Sequence, residues 1–279
     1  MRTIDETINR KDSNESPCDP SGETALFFAG LDIGSTATKA AIIHGVSKEV
    51  VAVAERATGW APKEAAREAL EDALSKLDVP GALISRTVAT GYGRKMAAAD
   101  KQVTEISCHA LGAKHLVPEA MTVLDIGGQD SKMIALDEQG NVRDFLMNDK
   151  CAAGTGRFIS NMATALGIDL DEFGVFAAKG TPVPISSMCA VFAESEVIGL
   201  TASGASREDL AAGIVVSIAK RLTSLAGRIS FTPTIAFTGG TARNAELAKC
   251  FSEAIGVELN TPVLAPFAGA IGAALIASR

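Results

Sequence analysis

The chain has 279 residues, a length that accommodates one large domain or two packed lobes with cores of their own. Hydrophobic residues make up 47% of it and charged residues 21%, which is the composition of an ordinary globular protein. The net charge of −7 and the lack of clustered Lys and Arg argue against nucleic acid as the main partner, because phosphate backbones are bound by clustered basic side chains.

The N-terminal segment and the most apolar run of the chain carry no signal for secretion or membrane insertion. Residues 1–23 are polar and include no apolar stretch of signal-peptide length, so residues 1–28 are predicted to form a disordered tail. Residues 263–277 are the most continuously apolar segment, but Pro266 interrupts it and it is shorter than a membrane span. We therefore expect a soluble, cytoplasmic protein that does not bind membranes.

The five cysteines form an odd-numbered and widely spaced set: Cys18, Cys108, Cys151, Cys189 and Cys250. Disulfide frameworks usually have an even count in a small secreted chain. The set therefore indicates reduced thiols, some of which are candidate metal ligands. Cys18 falls in the tail, and Cys108 and Cys250 lie in helical patterns typical of packing residues.

One segment of the chain occurs twice. Residues 31–43 align with residues 124–136 without a gap, with Leu, Asp, Ile, Gly and Lys in common and Thr38 matching Ser131 as a hydroxyl. Each copy contains a glycine turn between two apolar runs, a pattern that predicts a strand, a turn and a second strand.

The surroundings of the two copies are similar as well. A third strand follows each hairpin, at residues 50–57 and 142–147, and apolar residues at helical spacing follow the first of these at residues 63–77. The other predicted elements are strands at 85–90 and 234–238, a linking helix at 105–116, and helices at 208–229, 242–255 and 269–277. We therefore predict an α/β protein of two related lobes, residues 29–120 and 121–279, with a ligand cleft between them.

The turns of the repeated segment are suited to bind phosphate. Turns of Gly, Ser and Thr direct several backbone N–H groups and hydroxyls at one point, which forms a cradle for an anion. Two such turns on facing lobes would bind a polyphosphate from both sides. Candidate cofactor-binding residues are Ser35, Thr36, Ala37, Thr38 and Lys39 in the first turn, Gly127, Gly128 and Gln129 in the second, and Gly239 and Gly240 after the buried strand.

Three side chains are candidates for catalysis. Asp32 and Asp125 lie near the end of the first strand of each copy, and Mg²⁺ is often held through one or two carboxylates with water retained. Gln129 is a candidate to orient the attacking water, a role that Gln has in phosphoryl transfer. Lys39 would neutralise phosphate charge as a compact cation.

Two alternatives to a nucleotide site are open. A single Asp-Ile-Gly triplet fits a plain β-turn equally well, and a decayed duplication would bind no ligand. Two copies in register with a matching Lys, followed by Thr238-Gly239-Gly240 at a strand end, favour the nucleotide site. The sequence has no GxxxxGK[ST] motif, which excludes a P-loop enzyme.

Residues 32–39, 125–132 and 238–240 resemble the phosphate-1, phosphate-2 and adenosine motifs of the acetate and sugar kinase/Hsp70/actin superfamily. The resemblance implies an α/β fold of two ribonuclease-H-like lobes, each β-β-β-α-β-α, which close on ATP.

Cys151 and Cys189 each lie where a loop is predicted to enter a helix. Helix N-termini carry partial positive charge and free N–H groups, which stabilise a thiolate. The sequence has no CxxC motif, and free Cys is among the most buried residue types, so the residues alone favour two inert, buried thiols. The alternative is metal ligation, since a [4Fe–4S] cluster takes four cysteine thiolates and a twofold homodimer would supply two from each chain.

Several segments resemble the activators of 2-hydroxyacyl-CoA dehydratases, a family that also contains the ATPase subunits of benzoyl-CoA reductase. They are the two cysteine segments, residues 148–158 and 187–197, together with residues 89–94, 100–109 and 268–274. The resemblance covers the chain from about Ala29 to its C-terminus. It implies that Cys151 and Cys189 ligate one [4Fe–4S] cluster across a homodimer. It also implies that ATP hydrolysis drives a low-potential electron, supplied by a ferredoxin or flavodoxin, to a partner with its own cluster.

Three other functions are open at this point. The chain could be the ATPase component of a benzoyl-CoA-type reductase. A small-molecule kinase of the same superfamily would need an acceptor pocket with a catalytic carboxylate, to which no motif is assigned. A chaperone-like or filament-forming ATPase is disfavoured by the short length. His44, His109 and His115 show no metal-ligand spacing and are set aside.

Overall fold

The computed structural model of the protein describes residues 26–77, 83–186, 189–226, 229 and 232–279. By their contacts these residues divide into two compact units: unit 1 comprises the residues up to Leu116 together with Phe267–Arg279, and unit 2 comprises Val117–Pro266. Cys18 and most of the predicted tail lie outside the described residues. The first strand begins at Phe27, before the predicted start of the first lobe at Ala29.

Unit 1 is built on a five-stranded sheet. Its strands are β1 (Phe27–Ile33), β2 (Ala37–His44), β3 (Val50–Ala57), β4 (Ile84–Thr90) and the short β5 (Lys101–Gln102). They lie in the order β3-β2-β1-β4-β5, where β2 is antiparallel to both of its neighbours and β4 is parallel to β1. A parallel pair needs a crossover connection, and helix α1 (Pro62–Ser75) lies in the connection between β3 and β4.

Both faces of β1 are covered, which explains its almost continuously apolar sequence. Leu31 and Ile33 belong to one core cluster with alanines of α1. Gly30 points to the opposite face and lies against the C-terminal helix (Ala268–Ala277), where a Cβ atom on Gly30 would be 1.9 Å from Ala270 O. Glycine is therefore required where this strand and this helix meet.

The C-terminal helix also packs closely against helix α2 (Glu105–Leu116). A Cβ atom on Gly112 would be 1.8 Å from Ala268 O, and one on Gly272 would be 1.8 Å from Cys108 O, so only glycine permits this helix crossing. Two sequence-based expectations change here. Helix α2, expected to link two lobes, is a core element of unit 1, and the C-terminal helix, expected in the second lobe, belongs to unit 1 as well.

Unit 2 repeats the strand topology of unit 1. Its strands are β6 (Thr122–Ile126), β7 (Ser131–Leu136), β8 (Val142–Asn148), β9 (Ile235–Thr238) and β10 (Leu259–Asn260). Their order in the sheet is β10-β9-β6-β7-β8. Read in reverse, this order matches that of unit 1, and the same pairs of strands are antiparallel or parallel. Each strand therefore has a counterpart in unit 1, as the repeated segment predicts.

Five helices complete the described part of unit 2: α3 (Gly156–Leu166), α4 (Phe173–Lys179), α5 (Ala190–Ala202), α6 (Arg207–Ala226) and α7 (Ala245–Ile255). The core of the unit joins α3 and α6 to the sheet through buried apolar side chains such as Met162 and Ile214. Phe237 of β9 meets Phe251 of α7 edge to face, with ring centroids 6.0 Å apart. Full burial of one such side chain stabilises the fold by about 1.5–3 kcal/mol. Over the described ranges, no helix combines the length and the apolar character that crossing a bilayer needs.

Local signals determine the ends of α7. The Asn244 side chain accepts a hydrogen bond of 2.9 Å from Leu247 N–H at the N-terminus, as a capping residue does. Gly256 ends the helix in the left-handed conformation, with φ of 78°. The helix therefore starts later than the predicted residue 242, because a short 3₁₀ turn, Gly240–Arg243, precedes it.

Candidate functional site

The first phosphate turn (residues 34–37), between β1 and β2, has a fixed backbone and exposed hydroxyls. Gly34 N–H donates a hydrogen bond of 3.1 Å to Ala37 O, and Thr58 Oγ1 donates one of 2.8 Å to Gly34 O. Ser35 and Thr36, at the tip of the turn, are exposed. Their hydroxyls and the surrounding N–H groups are therefore accessible to an anion.

Asp32 and Lys39 lie directly opposite each other on β1 and β2. Both are buried, with 7% and 9% of their surface exposed. No residue in the described ranges forms a hydrogen bond or an ion pair with the Lys39 amine, so this cation is available to a bound anion. Thr38, between the turn and Lys39, is fully buried, and its hydroxyl lies 2.9 Å from that of Thr58.

The carboxylate of Asp32 is enclosed by one histidine and two glycines. His109 Nε2 lies 3.7 Å from Asp32 Oδ2, and both side chains are buried. A Cβ atom on Gly269 would be 2.5 Å from Asp32 Oδ2, and one on Gly91 would be 2.6 Å from Asp32 Oδ1. The two glycines therefore leave the space that the carboxylate occupies. Sequence reasoning missed His109, because no spacing links it to Asp32.

The second phosphate turn (residues 127–130), between β6 and β7, has the same internal hydrogen bond as the first. Gly127 N–H donates to Asp130 O at 2.9 Å. Helix α3 begins against this turn: Gly156 N–H donates to Gly127 O at 2.9 Å, and Arg157 N–H donates to Gly128 O at 2.8 Å. The turn is thereby bonded to the helix that follows Cys151 in the sequence.

Asp125 and Lys132 lie opposite each other on β6 and β7, as the Asp–Lys pair of unit 1 does. Lys132 Nζ is 3.3 Å from Asp125 Oδ2 and 2.7 Å from Asp130 Oδ2. Thr238 Oγ1 donates a hydrogen bond of 2.7 Å to Asp125 Oδ1. Both oxygens of the Asp125 carboxylate are therefore in contact with a partner, Oδ1 with Thr238 and Oδ2 with Lys132. Gln129, at the tip of the turn, is exposed and accessible to water.

The end of β9 needs glycine for two reasons. Gly239 has φ of 92°, and a Cβ atom on it would be 2.3 Å from Ile126 O. Gly240, which follows, begins the 3₁₀ turn and is exposed. The predicted adenosine residues are thus a close-packed glycine and an accessible one.

Unit 1 contains a counterpart of this strand end that sequence reasoning missed. Thr90 of β4 pairs in register with Asp32, as Thr238 of β9 pairs with Asp125. Gly91 follows with φ of 86°. The signal that would have found it is the Thr-Gly dipeptide at the end of a strand, present in both copies.

Cys151 lies in a loop that is ordered by its own side chains. Asn148 Nδ2 donates to Cys151 O at 2.9 Å, and Cys151 N–H donates to Asn148 Oδ1 at 3.3 Å. Arg221 Nη1 of α6 lies 3.5 Å from Cys151 Sγ, within hydrogen-bonding reach of sulfur. Cys151 is half-buried and lines a cavity of about 490 Å³. It was expected at the start of a helix, but α3 begins only at Gly156, so Cys151 belongs to the preceding loop.

Cys189 is the residue that precedes the first turn of α5, as expected for a thiol at a helix N-terminus. Its side chain is exposed, and its carbonyl accepts a hydrogen bond of 2.9 Å from Ala193 N–H. The loop before it is attached to the helix through Glu196, whose Oε1 accepts hydrogen bonds from Ser186 N–H and Oγ at 2.9 and 2.8 Å. Of the two predicted ligands, Cys189 is therefore an exposed thiol and Cys151 a half-buried one.

The two remaining described cysteines are less suited to metal binding. Cys108 is fully buried, and burial raises the pKa of its thiol to about 12. Cys250 is half-buried, and burial raises the pKa of this thiol as well. A ligating thiol must lose its proton, so these two residues serve packing. Across the described ranges, no three His, Cys, Asp or Glu side chains form a group that could hold a metal ion.

Known proteins share this architecture and sequence. A model of the BadF/BadG/BcrA/BcrD ATPase family matches residues 29–277. The (R)-2-hydroxyglutaryl-CoA dehydratase activating ATPase of Acidaminococcus fermentans is 44% identical over 262 residues, covering 91% of this chain and 98% of that protein. One of the benzoyl-CoA reductase subunits of Thauera aromatica is 35% identical over 258 residues, covering 88% of this chain and 91% of that protein.

A solved relative matches the fold as well. The activator of 2-hydroxyisocaproyl-CoA dehydratase from Clostridium difficile, determined with bound ADPNP, has a TM-score of 0.84 at 42% identity, covering 90% of this chain and 94% of that chain. The predicted α/β fold of two related units is confirmed. Because the family model matches nearly the whole sequence, the chain belongs to the BadF/BadG/BcrA/BcrD ATPase family.

Proposed function

We propose that this ATPase is an electron-transfer activator of a 2-hydroxyacyl-CoA dehydratase or a related cluster-containing enzyme. In this proposal it works as a homodimer in which Cys151 and Cys189 of each copy bind one [4Fe–4S] cluster. The observation that carries the proposal is that both thiols lie next to positive charge: the Arg221 guanidinium is 3.5 Å from the Cys151 sulfur, and Cys189 directly precedes the first turn of α5. Cys189 is exposed and Cys151 half-buried, whereas Cys108 is fully buried.

Each unit offers groups that suit ATP and Mg²⁺. In unit 1, the buried Lys39 amine is available to an anion, and the N–H groups and hydroxyls of the first phosphate turn would bind phosphate oxygens. Asp32 in unit 1 and Asp125 in unit 2 are each suited to bind Mg²⁺, directly or through water. Gln129, exposed at the tip of the second turn, orients the water that attacks the terminal phosphate.

The described residues also fit an anionic cluster. Cys189 lies at the positive end of α5, and the Arg221 guanidinium lies next to the Cys151 sulfur. When bound, the cluster supplies one low-potential electron. For one electron, ~59 mV corresponds to a tenfold change in equilibrium, or ~1.4 kcal/mol. A drop of a few hundred millivolts therefore costs on the order of 10 kcal/mol, which is the scale of nucleotide hydrolysis.

A chain of hydrogen bonds inside unit 2 supports coupling between nucleotide and cysteine. The carbonyls of Gly127 and Gly128 accept hydrogen bonds from Gly156 and Arg157, and the loop that contains Cys151 leads directly into these donors. Movement of the second turn when ATP binds would thus displace the start of α3 and the loop before it.

The surface of α5 supports a homodimer. Val191, Phe192 and Ile198 are 69%, 68% and 57% exposed, although all three are large apolar side chains. Exposed apolar patches of this kind mark interaction surfaces. Because two of the three lie within the first turn after Cys189, a second copy bound here would approach the cysteine as well.

A second candidate is the ATPase component of a benzoyl-CoA-type reductase, which the 35% identity to the benzoyl-CoA reductase relative supports. The higher identity to a dehydratase-activating ATPase, 44%, favours the dehydratase activator. Reconstitution with a dehydratase, and separately with a benzoyl-CoA-type reductase, distinguishes the two. The electron donor in both assays is a reduced ferredoxin or flavodoxin.

The direct test is iron and sulfide analysis after anaerobic purification of the full chain. We expect about four irons per dimer, because one [4Fe–4S] cluster takes two thiolates from each copy. Iron-free protein in which both Cys151 and Cys189 remain unmodified would contradict the proposal. The function would then be that of a kinase or of a nucleotide-dependent switch.

A further inference from the structure

We propose that Arg221 raises the reduction potential of the cluster through its contact with Cys151, an inference that rests on the proposed function. Among the residues that the structure describes, the Arg221 guanidinium hydrogen-bonds the Cys151 sulfur, with Nη1 3.5 Å from Sγ. Arg221 is a positioning residue: it places a positive charge next to the Cys151 sulfur and would act on the cluster through that ligand.

The position of Arg221 is fixed by the helix that carries it. It lies on α6, whose neighbouring side chains Ile218 and Leu222 are 1% and 2% exposed in the core of unit 2. A functional side chain on such a core helix is held more firmly than one on a loop.

The cysteine loop packs against the same arginine at a second point. Gly154 has φ of 93°, and a Cβ atom on it would lie 3.4 Å from Arg221 Cδ. The loop therefore lies along the aliphatic stem of Arg221 while its guanidinium reaches the sulfur of Cys151. Asn148 closes the loop through its two hydrogen bonds with Cys151.

The direction of the effect follows from charge. Reduction adds one negative charge to a cluster that is already anionic through its thiolates. Arg stays protonated under all ordinary conditions, and hydrogen bonds to the sulfurs together with net charge set the potentials of iron–sulfur clusters. A cation bonded to Cys151 stabilises the reduced form more than the oxidised form, and it therefore raises the potential. This makes the cluster easier to reduce by a donor protein.

The neighbouring residue provides a matched control. Lys220 lines the same cavity and carries the same charge, but it is exposed. An exposed charge is screened by water and salt. Each of the two substitutions, Lys220→Gln and Arg221→Gln, therefore removes one positive charge from the same helix. Arg221→Gln also removes the contact that the structure shows with the Cys151 sulfur.

The experiment is a redox titration of the anaerobically purified holoprotein, followed by EPR of the reduced cluster, without nucleotide or partner enzyme. We expect Arg221→Gln to shift the one-electron reduction equilibrium about tenfold toward the oxidised form, which is ~59 mV more negative. Arg221→Lys, which keeps the charge but not the planar guanidinium, is expected to show a smaller shift in the same direction. Lys220→Gln is expected to titrate close to the unmodified chain.

The outcomes separate this inference from the function on which it rests. A loaded cluster whose potential is the same in Arg221→Gln and Lys220→Gln overturns the role of Arg221 and leaves the activator function intact. If Arg221→Gln does not retain a cluster, the Arg221→Lys variant provides the test. A reduction potential of Arg221→Lys equal to that of the unmodified chain overturns the inference. Absence of iron from the unmodified chain overturns the proposed function, and the inference falls with it.

Discussion

Thr238 Oγ1 donates a hydrogen bond of 2.7 Å to Asp125 Oδ1, whereas Thr90, its counterpart in unit 1, donates its hydroxyl hydrogen bond to Val103 O. The two aspartates hold equivalent places in two copies of one topology. Their surroundings nevertheless differ: Lys132 and Thr238 hold Asp125, and His109 lies next to Asp32. Asp32 therefore has more of its oxygen lone pairs available to a metal ion or a water.

The first prediction concerns these two carboxylates. We expect Asp32→Asn to lower the rate of ATP hydrolysis by about 100-fold, because it removes charge from the proposed Mg²⁺ site, and to leave the stability of the fold nearly unchanged. Steady-state ATPase assays across a range of Mg²⁺ concentrations measure the effect. Hydrolysis at the normal rate in saturating Mg²⁺ would show that Asp32 has no part in holding the metal.

The second prediction is that Asp125→Asn combines a loss of hydrolysis with a loss of stability. The substitution neutralises one carboxylate beside the buried Lys132, which keeps its contact with Asp130, and it weakens the hydrogen bond from Thr238. We expect the free energy of unfolding to fall by about 1–3 kcal/mol. Urea unfolding of the Asp125→Asn and Asp32→Asn proteins, compared side by side, tests this difference, and equal stability of the two would contradict it.

The third prediction concerns the cysteines. Cys151→Ser is expected to lose visible absorbance and electron transfer while ATP binding is retained, because the phosphate turns do not include this residue. Cys250→Ser is the matched control, since its thiol is half-buried and packs in α7. Equal iron content in the two variants would show that Cys151 is not a ligand.

The fourth prediction concerns coupling within unit 2. A Cβ atom on Gly156 would be 3.0 Å from Gly127 O and 3.3 Å from the Thr241 methyl group, so Gly156→Ala pushes α3 away from the second phosphate turn. We expect ATP to change the alkylation rate of Cys151 in iron-free protein, and this response to shrink at least threefold in Gly156→Ala.

Mass spectrometry of the alkylated cysteines measures that response. Gly199→Ala is the control, because a Cβ atom at Gly199 of α5 would meet nothing within 4 Å. A nucleotide response of equal size in Gly156→Ala and in the unmodified chain would refute the coupling.

The fifth prediction tests the packing of the C-terminal helix. Gly112→Ala would place a Cβ atom 1.8 Å from Ala268 O, inside a crossing of two helices. Overpacking of this kind destabilises by about 1–3 kcal/mol. The Gly199→Ala control is expected to stabilise the helix by about 0.5–1 kcal/mol. Urea unfolding of both variants measures the difference, and an unchanged midpoint for Gly112→Ala would show that the crossing is not close.

Much of the local structure could be predicted because it depends on neighbours in the sequence. The strand predicted at residues 50–57 and the helix predicted at residues 105–116 have the bounds that the structure shows for β3 and α2. The repeated Asp-Ile-Gly segment predicted two equivalent hairpins, and both place Asp opposite Lys in the same register. Turns of this kind are specified by the few residues that form them.

The sequence by itself determined the longer strands, the two hairpin turns and the duplication, because backbone preferences and the period of the apolar residues act over a few positions. It did not show the two-residue strands β5 and β10. Only the tertiary structure decided which distant elements meet. It brought His109 beside Asp32, Arg221 beside Cys151, and the C-terminal helix into unit 1. The physical reason is that periodicity shows which face of an element is apolar, whereas the close packing of small residues such as Gly112 and Gly272 decides which element covers that face.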